Sequence, residues 1–346
     1  MLVTRYSIAL ILLCFSATSG FAAGEVHLHL ILQRSINDPA GQNILDFKRE
    51  LESRTKDAVK VEVKEQAQAS GASSTLQGLR EGIVEMSVVS LAELSKEIAG
   101  AGIFTLPFLF NFDAIVHAAA RPGSEIRNIV DAEIKMRGAQ VLWWQPYGST
   151  VIFSKGTPIL HPKDLANHNI AVTDALSAEF IRMCGGAPHI VNDGDDLKAL
   201  DNKDVDSMMS SIASARNYNN DGKIDKINNV RYSESLYVVL ISNKIWRGLA
   251  PELRKTVTDA ARAAEEQIWE QLAQTEAEAY DLALQKGMTF ETPSDDDILA
   301  WRACSSSIVE SFVNRTEFIG AKLLAAYGKL RSDPCCSQAL QTQTGD

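Results

Sequence analysis

A chain of 346 residues with 44 acidic against 34 basic side chains carries a formal charge of −10. An acidic surface repels phosphate backbones, which argues against nucleic acid as a partner. The length points to two domains, by a prior of about 150 residues each, with core enough to fold without disulfide staples.

The chain opens as an export signal. Arg5 precedes an almost unbroken apolar run, Ile8 to Phe15, and small residues follow through Ser19, Gly20, Ala22 and Ala23. That is the order of a cleavable secretory peptide, here residues 1–23. The run is shorter than the roughly 20 apolar residues a bilayer requires. Leu13 stands before Cys14 where lipoprotein cleavage wants a small residue, so lipidation is not expected.

From Gly24 to Leu32 the apolar residues Val26, Leu28 and Leu30 alternate with His27, His29 and Ile31, which predicts a first strand. Pro39 opens a helix to about Arg54. Val59 to Val63 reads as a strand, Thr75 to Glu81 as a helix, and Met86 to Ser90 as a strand after Gly82. This order is that of parallel α/β architecture. A proline-broken apolar patch, Leu106 to Phe110, precedes one helix predicted over Ala114 to Lys135. Further strands are predicted at Gln140 to Gln145, Asn169 to Thr173, Asp204 to Met209 and Leu236 to Ser242, with loop and short helix over Pro158 to His168. Pro251 starts the longest helix, ending near Gly287, and Glu252 in its first turn suits the dipole. Ser294 and the aspartates after it start a last helical region through Trp301 to Tyr327.

Four cysteines follow the leader: Cys184, Cys304, Cys335 and Cys336. Joining the vicinal pair would strain the chain. Cys304 bonded to one tail cysteine is the expected staple, with reduced thiols as the alternative.

Five short segments, in order along most of the chain, carry a resemblance. Leu79-Arg80-Glu81-Gly82-Ile83-Val84-Glu85-Met86 looks like a helix-to-strand turn written "alqlGavqm", and Leu106-Pro107-Phe108-Leu109-Phe110 like "lPFLF". Pro158-Ile159 with Pro162-Lys163-Asp164-Leu165 is similar to "rPI..peDLkG", and Val205-Asp206 to "VDg". Asn243-Lys244 with Trp246, Leu249 and Pro251 is similar to "vNkk.w..L.p". Together they resemble the solute-binding subunits of tripartite ATP-independent periplasmic (TRAP) transporters. The resemblance implies a two-lobed α/β periplasmic binding protein fold, type II-like, with a long helix across both lobes. Lobe I is expected over residues 24–148 plus about 237–262, and lobe II over 149–236 plus about 288–330. The helix takes about 251–286, and a loose tail 333–346. It further implies hinge closure on a small organic solute in the periplasm and hand-over to the membrane subunits of a TRAP permease. No catalysis, cofactor or metal is expected, and a monomer is.

Ligands of open α/β sheets bind at the carboxyl ends of strands, in a crevice that two lobes can close. Those ends are Ser90, Trp144, Thr173, Met209 and Ser210; Gln33, Tyr147, Ser149, Arg216 and Glu234 complete the expected ligand-binding set. Family members that take organic acids hold the carboxylate with arginines, whose planar fork matches it. The corresponding positions here are Ser149 and Ala171. Three explanations stand. Arg216 substitutes; or the ligand is neutral or cationic, met by Trp143 or Trp144, Tyr147, Asp174 and Glu234; or an acid is held by hydroxyls and backbone donors. Adjacent tryptophans on a strand point to opposite faces, so at most one lines the cleft.

Asn217 to Asn228 imitates an EF-hand loop but lacks the glutamate at its twelfth position, and reads as a polar turn. His27 and His29 share a strand face without further ligands in reach, and read as structural. The chain has no Gly-x-Ser-x-Gly elbow, phosphate loop or dinucleotide fingerprint. Two rival readings remain: a binding protein serving a sensor or another transporter, and a secreted α/β hydrolase.

Overall fold

A computed structural model of the chain describes residues 26–65, 72–218, 222–334 and 336. The expected leader and most of the tail lie outside them. β1 (Val26–Leu32), β2 (Val59–Glu65) and β3 (Met86–Ser90) run parallel, connected by α1 (Pro39–Arg54) and α2 (Ala72–Glu81). β1 buries Leu28, Leu30 and Leu32 on one face, the period of two read from the sequence. α1 buries Ala40, Ile44, Phe47 and Leu51 against that sheet, the period of a helix.

The short α3 (Leu91–Leu94) and a 3-10 segment, Ala99–Thr105, follow β3. The single helix predicted over Ala114 to Lys135 is two, α4 (Asp113–Ala120) and α5 (Glu125–Met136). Pro122 and Gly123, the latter at φ +85°, break it between them. β4 (Ala139–Ser154) runs well past the predicted end at Gln145.

A second parallel set, β5 (Asn169–Val172), β6 (Ala187–Ile190) and β7 (Ser207–Ser211), carries α6 (Ala175–Met183) and α7 (Asp196–Asp201). β8 (Lys226–Ser242) also exceeds its predicted length, starting ten residues before Leu236. It pairs with β4 antiparallel from Ala139 opposite Ser242 to Ser154 opposite Lys226. These two long strands join both parallel sets into one sheet of order β2-β1-β3-β8-β4-β7-β5-β6. Between Pro146 and Gly148 the pairing shifts register, a bulge that accommodates the proline within the strand.

After α8 (Asn243–Gly248), α9 (Pro251–Gln285) runs for 35 residues across the back of the sheet. Its first half buries Val257, Ala260, Ala261 and Ala264 with α1 and Trp143. Its last turns bury Ala279 and Ala283 with Val151, Phe153 and Ile212 of the other half. β9 (Thr289–Glu291) lies beside the start of β8. The last helical region is again split, into α10 (Asp295–Cys304) and α11 (Ile308–Arg331). α11 packs on α4, α5 and the 3-10 segment as well as on α6. Of the EF-hand imitation, residues 219–221 lie outside the described residues, and Lys226 to Asn228 are already β8. His29 pairs with Glu85 and faces Glu62, and no metal-binding cluster occurs among the described residues.

The expected cysteine pairing is corrected: Cys304 bonds Cys184, not the tail. Trp301 of α10 packs on Phe180 of α6 and donates its indole N–H to the Leu160 carbonyl, which sets Cys304 beside the end of α6. Cys335 lies outside the described residues, while Cys336 is buried with its sulfur 3.9 Å from the Ala114 carbonyl, so that part of the tail is anchored. The bridge spans 120 residues of sequence and restricts the unfolded chain. The Cys184→Ala/Cys304→Ala double variant is expected to lose about 2–4 kcal/mol of unfolding free energy. Urea denaturation checks this, and an unchanged midpoint sinks it.

Candidate functional site

The carboxyl ends of β3, β5 and β7 face one another across the middle of β4 and β8, and a narrow cavity of about 40 Å³ lies among them. Its wall is rich in hydroxyls, many with structural duties at strand ends. Ser90 caps α3 by accepting from the Glu93 N–H. Ser211 accepts from the Ala213 N–H and donates to the Tyr147 carbonyl. Asp174 caps α6, accepting from the Leu176 and Ser177 N–H groups and from the hydroxyls of Ser177 and Thr105. A capping residue after a strand turns the chain into the next helix and leaves its side chain at the sheet's end. In contrast, the hydroxyls of Thr150, Thr173, Ser233 and Ser235 have no hydrogen-bond partner among the described residues.

Arg34, two residues past β1, crosses the cavity's rim. Its Nε donates to Asp38 (3.3 Å), one terminal nitrogen to Asp193 (3.0 Å), and the other to Ser214 (3.2 Å). Its guanidinium lies 4.5 Å from the centre of the Tyr147 ring, whose hydroxyl donates to Asp38. Tyr237 completes the cluster, donating to Asp193 at 2.5 Å. Glu93 sits behind, and burial, then the nearby Asp193, push its carboxyl up.

Glu234 lies where β4 and β8 pass from one half of the sheet to the other. It accepts from the Gly148 N–H at 3.1 Å and from Arg231 at 3.2 Å. Burial pushes its carboxyl up to about 8; Arg231 opposes this, and Glu276 and Asp113 add to it. Glu276, from α9, takes the next N–H, that of Ser149.

Of the expected ligand-binding residues, Ser90, Thr173, Met209, Ser210 and Glu234 line the cavity. Five do not. Trp144 is core, packed on Phe104 with its indole N–H on Asp131, because β4 does not end there. Trp143 is core on the other face, bonded to Asn43. Tyr147 lies beneath Arg34 rather than in the cavity. Ser149 is fully buried in the strand. Gln33 faces a separate groove on the outer side of Arg34. Arg216 sits on the 3-10 turn Ile212–Asn217, where its Nε donates to the Ala213 carbonyl, and does not reach the cavity. Ala171 is also core.

Sequence reasoning missed Arg34, Asp193 and Tyr237. The strand-end rule that selected Gln33 pointed one residue short of Arg34.

A family model, bacterial extracellular solute-binding protein family 7, matches residues 33–316. Among solved structures, the chain is similar to a Bordetella pertussis extracytoplasmic solute receptor binding pyroglutamic acid. The TM-score is 0.80 at 19% identity, over 87% of this chain and 99% of that one. It is similar to a TRAP periplasmic solute-binding protein from Chromohalobacter salexigens with bound D-glucuronate, with TM-score 0.78 at 15% identity, over 87% and 99%. A third, from Sulfurospirillum deleyianum with bound succinate, gives TM-score 0.76 at 19% identity over 88% and 99%. No curated protein matches the sequence significantly. The structural likenesses establish the two-lobed periplasmic binding fold, and the family match covers most of the chain. The chain belongs to family 7 of the bacterial extracellular solute-binding proteins.

Proposed function

We propose that the cavity between the strand ends is the solute site, and that the chain captures a small polar molecule there and delivers it to a TRAP permease outside the cytoplasm. Membership of an extracellular solute-binding family carries the binding role and the compartment. No helix among the described residues is long and apolar enough to cross a membrane. The observation that carries the site is four partnerless hydroxyls, Thr150, Thr173, Ser233 and Ser235, around one cavity at the crossover of β4 and β8. Only Ser233 of the four is buried; the other three are partly exposed and open to a guest or to water.

On this reading residues 24–148 with about 237–262 form one lobe, and 149–236 with about 288–330 the other. They bend about the crossover, and solute contacts from both favour the closed form. Asp174, 1% exposed, caps α6 with four donors on its carboxyl. The relatives' acids, such as glucuronate and succinate, set the size class of the solute.

Scattering and thermal unfolding against a solute panel test this. One solute is expected to shrink the radius of gyration and raise the melting temperature, by about 2.7 kcal/mol of stability at 100 times its Kd. Ser235→Trp, which fills the cavity, is expected to abolish both responses. If the filled variant responds as the wild type does, the site lies elsewhere.

A further inference from the structure

The charged residues lining the cavity, among those described, are Arg34, Asp174, Asp193 and Glu234. Each is accounted for by a partner of opposite charge except one. All three nitrogens of Arg34 are engaged, by Asp38, Asp193 and Ser214, so its charge is already met by two carboxylates. Glu234 has Arg231. Asp174 is 1% exposed and has only uncharged donors: two backbone N–H groups and two hydroxyls. A carboxylate entering this cavity would meet no uncommitted cation, and burying an unpaired charge costs several kcal/mol. The wall therefore repels the anions that the similar structures hold.

We propose that the solute carries a cationic nitrogen, an ammonium on a small hydroxylated or aliphatic skeleton, and that Asp174 is its counter-charge. The inference rests on the reading of the cavity as the solute site. An ammonium presents donors only, and the cavity offers it what it needs. The Asp174 carboxylate lies beside Thr173, and Ser233, 2% exposed, brings a second hydroxyl oxygen without a partner. Burial pushes the Asp174 carboxyl up, against its four donors, and a bound cation relieves that strain on the ionised form. Ser149 and Ala171 do not touch the cavity, and Thr150 beside Ser149 brings it a hydroxyl rather than a cation.

Thermal shift and calorimetry with three matched sets of probes decide the class. The amines are ethanolamine, putrescine and glucosamine; the acids glycolate, succinate and glucuronate; the uncharged solutes glycerol, butanediol and glucose. At least one amine is expected to raise the melting temperature while every acid leaves it unmoved. Asp174→Asn, which keeps the cap, is expected to weaken that amine at least tenfold with the variant still folded. Binding by acids alone or by uncharged solutes alone overturns the cationic class and leaves the cavity standing as a receptor site. Amine binding that Asp174→Asn does not weaken overturns the assignment of the counter-charge. Silence from all three sets overturns the class and counts against the solute reading as well.

Discussion

Arg34→Ala is expected to lower the unfolding free energy by about 3–5 kcal/mol, the range for breaking a buried ion pair from one side. Asp38 and Asp193 would be left facing each other's field in a dry site, with the hydroxyls of Tyr147 and Tyr237 as their remaining partners. The loss is also directional. Arg34 follows β1 in one half of the sheet, whereas Asp193 follows β6 and Ser214 follows β7 in the other. Its bonds therefore cross the cleft, and removing them favours the open form. Urea denaturation reads the stability, and scattering on the solute-free variant reads a larger radius of gyration. Arg34→Lys is expected to recover only part, since one ammonium cannot present a planar fork to three separated acceptors. A variant as stable and as compact as the wild type would show that the bridge contributes nothing.

Elements with self-contained signals were legible in the sequence. α1 runs from Pro39 to Arg54 as the proline and the spacing of Ile44, Phe47 and Leu51 indicate, and α9 begins at Pro251. β4 was not, because Pro146 and Gly148 are ordinary terminators of a strand. They persist here because acceptors from distant segments satisfy the bulge: Glu234 holds the Gly148 N–H and Glu276 that of Ser149. Gly148 itself, at φ +104°, has Glu276 packed where a Cβ would stand.

The same limit governs the site. The strand-end rule selected Ser90, Thr173, Met209 and Ser210, which line the cavity and whose positions depend on local order. It placed Trp144 wrongly because it inherited the wrong end of β4. Arg34 and Asp193 belong to loops 159 residues apart, and nothing local in either loop announces the other. The cysteines repeat the lesson, since the partner of Cys304 is fixed by the packing of Trp301 on Phe180.

Glu234→Gln is expected to flatten the pH dependence of stability between about pH 5 and 8. The buried carboxyl is pushed from its ordinary 4.5 up to about 8, first by desolvation and then by Glu276 and Asp113, against Arg231. Between those two values the folded chain holds a proton that the unfolded chain has released. The free energy of unfolding therefore falls as pH rises, with a limiting slope of about 1.4 kcal/mol per pH unit from this one group. Its contribution is fully present below about 4.5 and gone once pH passes about 8. Glutamine keeps an acceptor for the Gly148 N–H and cannot ionise, so the variant should match the wild type at pH 5 and exceed it increasingly up to pH 8. Urea unfolding of both proteins at pH 5, 6, 7 and 8 isolates the effect, because titrating groups not coupled to Glu234 cancel in the difference. Parallel curves would mean that Glu234 ionises as an exposed glutamate does, and that Arg231 alone neutralises the crossover.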